Sequence, residues 1–145
     1  MLRHGLLTLL ISASSVVYAY PNHSNQWSHR SLLYFAPDND QQVQQFLLET
    51  QMHQCDLDER DIVVLVITAS GESMPNWVKE QYDISQLYKN YQVAQTDYAS
   101  ILIGRDGYEK LRFTHSVDWQ LLNQTIDGMP MRQREMQQAS NPCSA

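Results

Sequence analysis

The chain has 145 residues, 43% of them hydrophobic, with 10 Lys and Arg against 16 Asp and Glu for a formal net charge of −6. That length suits one domain, the apolar fraction suffices for a packed core, and no internal repeat suggests a second. An acidic chain without a basic stripe excludes a nucleic-acid binder, because phosphate binding depends on counterion release by Lys and Arg.

At the start, Arg3 and His4 precede the apolar run GLLTLLISASSVV and the small-residue site Val17-Tyr18-Ala19. This pattern predicts an export signal at 1–19, cleaved after Ala19. The run is broken by Thr8, Ser12, Ser14 and Ser15 and is shorter than the roughly 20 apolar residues a span requires, so no membrane span is expected after cleavage. No Cys follows it to carry a lipid anchor. Losing Arg3 takes the formal charge from −6 to −7. The expected domain runs from 27 to 136 and the tail from 137 to 145.

Leu32 to Ala36 reads as a buried central strand ended by Pro37, which cannot donate to a ladder. Asp38 and Gln41 have capping-box spacing, so a helix is predicted from about Asn39 to Gln54 with Val43, Phe46, Leu47 and Thr50 inward. Asp56 to Asp61 reads as a charged turn. Ile62 to Ile67, six apolar residues in succession, suits a strand covered on both faces and therefore a parallel neighbour. Gly71 and Pro75 place a loop over Thr68 to Asn76, and Trp77 to Tyr91 reads as a second, less regular helical stretch. Ser100 to Ile103, Asp106-Gly107 and Glu109 to Thr114 then predict an antiparallel hairpin with a two-residue turn. A last helix over Asp118 to Ile126, capped by Ser116, buries Trp119, Leu122 and Ile126 and stops at Gly128 and Pro130. The order is βαβαββα: an α/β fold with a central mixed sheet of about four strands flanked by helices.

Two stretches are distinctive, GRDGYEKLR and IDGMPMRQREM, together with the upstream WSHRSLLYFAP. On these the segment from Trp27 to Met136 resembles a thioredoxin-like domain of unknown function found in small secreted bacterial proteins. The same domain recurs in vertebrate extracellular-matrix coiled-coil-domain proteins and sushi-repeat proteins. The resemblance implies a thioredoxin-like fold and marks Gly104, Asp106, Gly107, Asp127, Met129, Pro130, Met131 and Arg132 as motif residues, but it brings no activity.

Thiol enzymes of that architecture hold a nucleophilic cysteine at the start of the first helix, where orphan N–H groups and the helix dipole stabilise a thiolate. The corresponding turn here is Ala36-Pro37-Asp38-Asn39-Asp40, which contains no sulfur. Its carboxylates suit helix caps instead. Laying ILIGRDG on the equivalent thioredoxin stretch puts Ala99 where the cis-proline facing the active cysteines would stand. Cys55 and Cys143 are the only cysteines. In an exported protein they read as one disulfide, closing a loop of 143 − 55 = 88 residues. The rival reading is a thiol oxidoreductase or peroxide-handling enzyme using Cys55 or Cys143.

His23, His29, His53 and His115 show no metal-ligand spacing, Ser70 and Ser73 flank Gly71 without a nucleophile elbow, and Asp58, Glu59 and Asp61 lack the rest of a calcium loop. No metal, cofactor or catalytic residue is therefore expected. The remaining constellation is basic: Arg105, Lys110 and Arg112 on the hairpin, with Arg132 and Arg134 after Pro130. If the tail folds back over the hairpin, these five form a candidate site for a small anionic ligand or a partner protein's carboxylates. Pairing with Glu109, Asp127 and Glu135 is the alternative. The sequence thus points to an exported thioredoxin-like binding or structural module, closed by the IDGMPMRQREM stretch as a latch.

Overall fold

A computed structural model describes residues 28–138 and Cys143. The expected signal peptide at 1–19, Trp27 and the rest of the expected tail lie outside the described residues. Within them, five strands form one mixed sheet in the order β3-β2-β1-β4-β5.

The central strand β1 (Arg30–Ala36) is buried at every position. It pairs in parallel with β2 (Ile62–Thr68), Leu33 opposite Leu65, and antiparallel with β4 (Ala99–Ile103), Leu33 opposite Ile101. Because side chains alternate across a strand, Leu32, Tyr34 and Ala36 face one layer, and Leu33 and Phe35 the other. The first layer contains α1 (Gln41–Met52), α2 (Gln54–Glu59) and α5 (Trp119–Asp127), which contribute Val43, Phe46, Leu57, Leu122 and Ile126. The second contains α3 (Trp77–Gln81) and α4 (Ile84–Asn90), which contribute Val78, Leu87 and Tyr88. Burial on both faces explains why β1 reads as an unbroken apolar run; β2 shares that character except at Val63, which is exposed, and Val64, which is half-buried.

The expected order holds, with corrections. The sheet has a fifth strand, β3 (Ser73–Met74), inside the stretch expected to be a loop; it adds antiparallel to β2 through Val66 and Ile67. The expected turn over Asp56–Asp61 is mostly the short helix α2, anchored by buried Leu57, and the second helical stretch is two helices, α3 and α4. The first helix is capped by Asp40 rather than Asp38: Asp40 is extended and its Oδ1 accepts from the N–H groups of Gln42 and Val43, while Leu47 is only half-buried. Asp118, not Ser116, caps α5, accepting from the Leu121 N–H. The hairpin joins β4 to β5 (Glu109–Phe113), but its connection spans 104–108 and the register shifts at Leu102/Ile103; Gly107 takes φ +80°, which suits glycine.

The largest correction is at the end of the chain. Pro130 does not stop the chain's helical course but opens a further helix, α6 (Pro130–Gln138), since the N–H that proline lacks has no intrahelical partner at that position. Its buried residue is Arg132. No described helix is long and apolar enough to cross a membrane.

The strand directions give the molecule two ends. β1 and β2 run from Arg30 and Ile62 to Ala36 and Thr68, and α1 and α5 both begin near the second end. Seven residues of β1 separate the ends by about 20 Å.

Candidate functional site

At the end where β1 finishes, Asp40 occupies the start of α1. One oxygen caps the helix through Gln42 and Val43; the other accepts a hydrogen bond from the Tyr98 hydroxyl in the loop before β4. That phenol, followed by the two backbone N–H groups, holds the Asp40 carboxyl below its ordinary pKa, and the same bond pushes the Tyr98 hydroxyl upward. Asp38 is likewise engaged, accepting from Asn39 N–H at 2.8 Å and the Ser70 hydroxyl at 3.0 Å. The helix N-terminus, which in a thiol enzyme would stabilise a thiolate, is taken up by a carboxylate.

Beside this turn lies a groove of about 500 Å³. Gln41, Gln45 and Glu49, spaced along the exposed side of α1, form one wall; Tyr98 and residues 114–117 form the other; Tyr34 and Phe46 form the floor. The floor rings stack at 4.0 Å with 6° between planes, and Trp119 and His53 continue the stack along the layer. Trp119 Nε1 donates to Glu49 Oε2 at 3.1 Å and Gln45 Nε2 to Oε1 at 3.0 Å, which fixes the carboxylate in orientation. Tyr34 is 6% exposed, and among the described residues its hydroxyl has no hydrogen-bond partner. Burial, then Asp40, Tyr98 and Glu49, push this phenol up to about 12. A second hollow, of about 440 Å³, continues beyond Tyr98 and His115 toward Arg112.

The opposite end holds an ionic network. Arg132, 3% exposed, donates to Glu59 Oε1 at 2.8 Å, to the Glu59 carbonyl at 3.0 Å and to Asp127 Oδ1 at 3.1 Å. Arg60 grips the same Asp127 through two bonds, at 3.0 and 2.8 Å. Glu135 of α6 is met by Arg30 at 3.2 Å, by Arg105 at 3.2 Å and by Arg132 at 3.6 Å, and Arg105 also reaches Asp61 at 2.5 Å. Burial alone would raise the Asp127 carboxyl, but the bonds from Arg60 and Arg132 hold it below its usual value.

The five basic residues singled out from the sequence do not form one cluster. Arg105 and Arg132 belong to the ionic network; Lys110 pairs with Asp106 at 2.6 Å, and Arg112 takes Glu109 through two 2.8 Å bonds and the Tyr91 carbonyl at 2.7 Å. Arg134 is exposed on α6. Of the motif residues, Gly104, Asp106 and Gly107 shape the hairpin turn, Asp127 is the shared acceptor, Met129 packs on the core, and Pro130, Met131 and Arg132 form the first turn of α6. Arg30, Arg60, Tyr34, Glu49 and Tyr98 escaped the sequence reading; a guanidinium at the first position of a buried strand was the available signal for Arg30.

Cys55, on α2, is bonded to Cys143 with an S–S distance of 2.07 Å and a Cα separation of 5.8 Å. Asp56 and Glu59 lie close to Cys143. The bridge and Arg132 occupy two of those three groups.

No curated protein matches this sequence. Among solved structures, the chain is similar to a reduced 2-Cys peroxiredoxin of Plasmodium vivax, with a TM-score of 0.53 and 14% identity over 73% of this chain and 80% of that one. At that identity the likeness shows the fold alone, a thioredoxin-like arrangement of mixed sheet and flanking helices. Residues 22–135 match the family described as a domain of unknown function (DUF4174), and the chain belongs to it.

Proposed function

We propose that this protein is an exported binding module that uses the thioredoxin-like scaffold to hold a ligand or partner without thiol chemistry. One observation carries the reading: Asp40, locked to Tyr98, stands at the helix start where the scaffold's thiol chemistry would need a sulfur, and both cysteines are joined to each other. A bridged sulfur offers no thiolate, and the nearby carboxylates would raise the pKa of any thiol placed there. The recognition surface is assigned to the groove rather than to the basic residues, because four of those five cations are engaged with internal carboxylates. Export, to a periplasm or to the medium, is supported by the leader pattern at 1–19 and by the disulfide, which persists in oxidising compartments.

Filling the groove tests the reading. Gln45 is exposed on the wall, so Gln45→Trp should leave the melting temperature unchanged and abolish capture of the partner taken from the exported fraction by the unaltered protein. The oxidised protein should show no free thiol and no insulin or peroxide turnover. Thiol-dependent turnover that disappears with Cys55→Ser, or capture that survives Gln45→Trp, would defeat it.

A further inference from the structure

We infer that the groove receives an organic cation, the ammonium or guanidinium group of a lysine- or arginine-bearing peptide or of a free polyamine. This rests on the groove being the binding surface and concerns what enters it.

Three independent features of the groove select that chemistry. First, its charges have one sign. Glu49 lies on the wall and Asp40 beside the floor, with Asp38 at the outer turn, and none of the lining residues is Lys or Arg. Arg112, which lines the neighbouring hollow, is committed to Glu109 and the Tyr91 carbonyl. Everywhere else in the described fold a half-buried carboxylate such as Asp127 or Glu135 is met by guanidinium groups; Glu49 is met by an indole N–H and an amide, neutral donors that orient it without cancelling its charge. Each Glu49 oxygen accepts one described bond and retains capacity for a second.

Second, Tyr34 is only 6% exposed, yet its hydroxyl, without a described partner, lines this space and is open to whatever enters it. Its oxygen can accept a hydrogen bond from an incoming N–H. Burial and the nearby carboxylates keep the phenol protonated at neutral pH, so it adds an acceptor and no charge of its own.

Third, the floor is aromatic. Tyr34, Phe46 and Val117 give the lining an apolar part, and Tyr98, at the opposite wall, offers a ring for the methylene stem of a lysine or polyamine. A volume of about 500 Å³ accommodates one such side chain with its flanking peptide.

Amide chemical-shift titration of the mature protein tests the inference, with four probes: spermidine, an acetyl-Gly-Lys-Gly amide, its Arg counterpart, and the same lysine peptide acetylated on Nζ. The cations should shift the amides of 41–49 and 114–117 saturably, and the acetylated peptide should bind at least about tenfold more weakly. Glu49→Gln should weaken the cations by about tenfold, and Tyr34→Phe by several-fold at an unchanged melting temperature, since its hydroxyl makes no described bond. A preference for the tripeptides over spermidine names a protein side chain as the source; the reverse names a free polyamine. Equal binding of the acetylated peptide, indifference to Glu49→Gln, or unsaturable shifts spread over the acidic surface would overturn the inference. Equal binding of the neutral peptide within 41–49 would still leave the groove as the binding surface, whereas that reading falls separately by the Gln45→Trp experiment.

Discussion

The two ends of the β1 strand treat charge in opposite ways. At the Arg30 end, four guanidinium groups interlock with Glu59, Asp61, Asp127 and Glu135, and the elements they join come from distant parts of the chain: β1, the α2 end, the hairpin, α5 and α6. At the Ala36 end, Asp40 and Glu49 meet only neutral donors, a phenol, an indole, an amide and backbone N–H groups. One end spends its charges on closing the fold, and the other leaves its carboxylates with unmatched charge beside an open groove. Exposure alone does not separate the two sets of carboxylates; the identity of their donors does.

Breaking the closed end should have the largest effect. Arg132→Ala strands Glu59 and weakens the hold on Asp127, and removing one partner of a buried pair typically costs about 3–5 kcal/mol, readable by urea unfolding. Arg132→Met should cost less than Ala if packing rather than charge anchors α6, so the pair of variants separates the two contributions. Opening the bridge comes next. Replacing Cys55 and Cys143 together with Ser removes a link across 88 residues, a loss that native bridges commonly make about 2–5 kcal/mol, with fraying expected to start at α6. Hydrogen exchange that rises first in α6 would support that order, and uniform loss of protection would refute it.

Acid sharpens the contrast. Both Asp127 and Asp40 have carboxyls depressed on folding, so the unfolded chain binds more protons as the pH drops. Their stabilisation is present above the ordinary carboxylate range and is lost as the pH falls through their lowered folded values. Asp127→Asn should flatten the acid limb of the stability curve more than Asp40→Asn does. The smallest effect belongs to the groove end, where Asp40→Ala removes a helix cap and should cost about 1 kcal/mol by thermal unfolding. A loss as large as that of Arg132→Ala would dissolve the distinction between the two ends.

The visibility of each element in the sequence followed what it buries. β1, β2 and β4 bury apolar side chains in short continuous runs, and α5 buries Leu122 and Ile126 at helical spacing, so their patterns were legible. β3 was not, because two residues carry no periodicity and its pairing depends on the neighbouring Val66 and Ile67. α6 was hidden for a different reason: its inward residue is an arginine, so a search for apolar periodicity passes over it. The groove was equally hidden, since Tyr34, Glu49 and Tyr98 are scattered along the chain and each alone reads as an ordinary core or surface residue.

The amino-acid order by itself settled the layered α/β plan, the absence of sulfur from the turn before α1 and the pairing partner open to each cysteine, because hydrophobic spacing and residue identity are local properties. Which carboxylates would find guanidinium groups and which would face a cavity was decided only by tertiary structure. Those outcomes depend on bringing β1, the hairpin and α6 together at one end of the sheet and α1 and the loop before β4 together at the other, and charge compensation is a matter of distance in space.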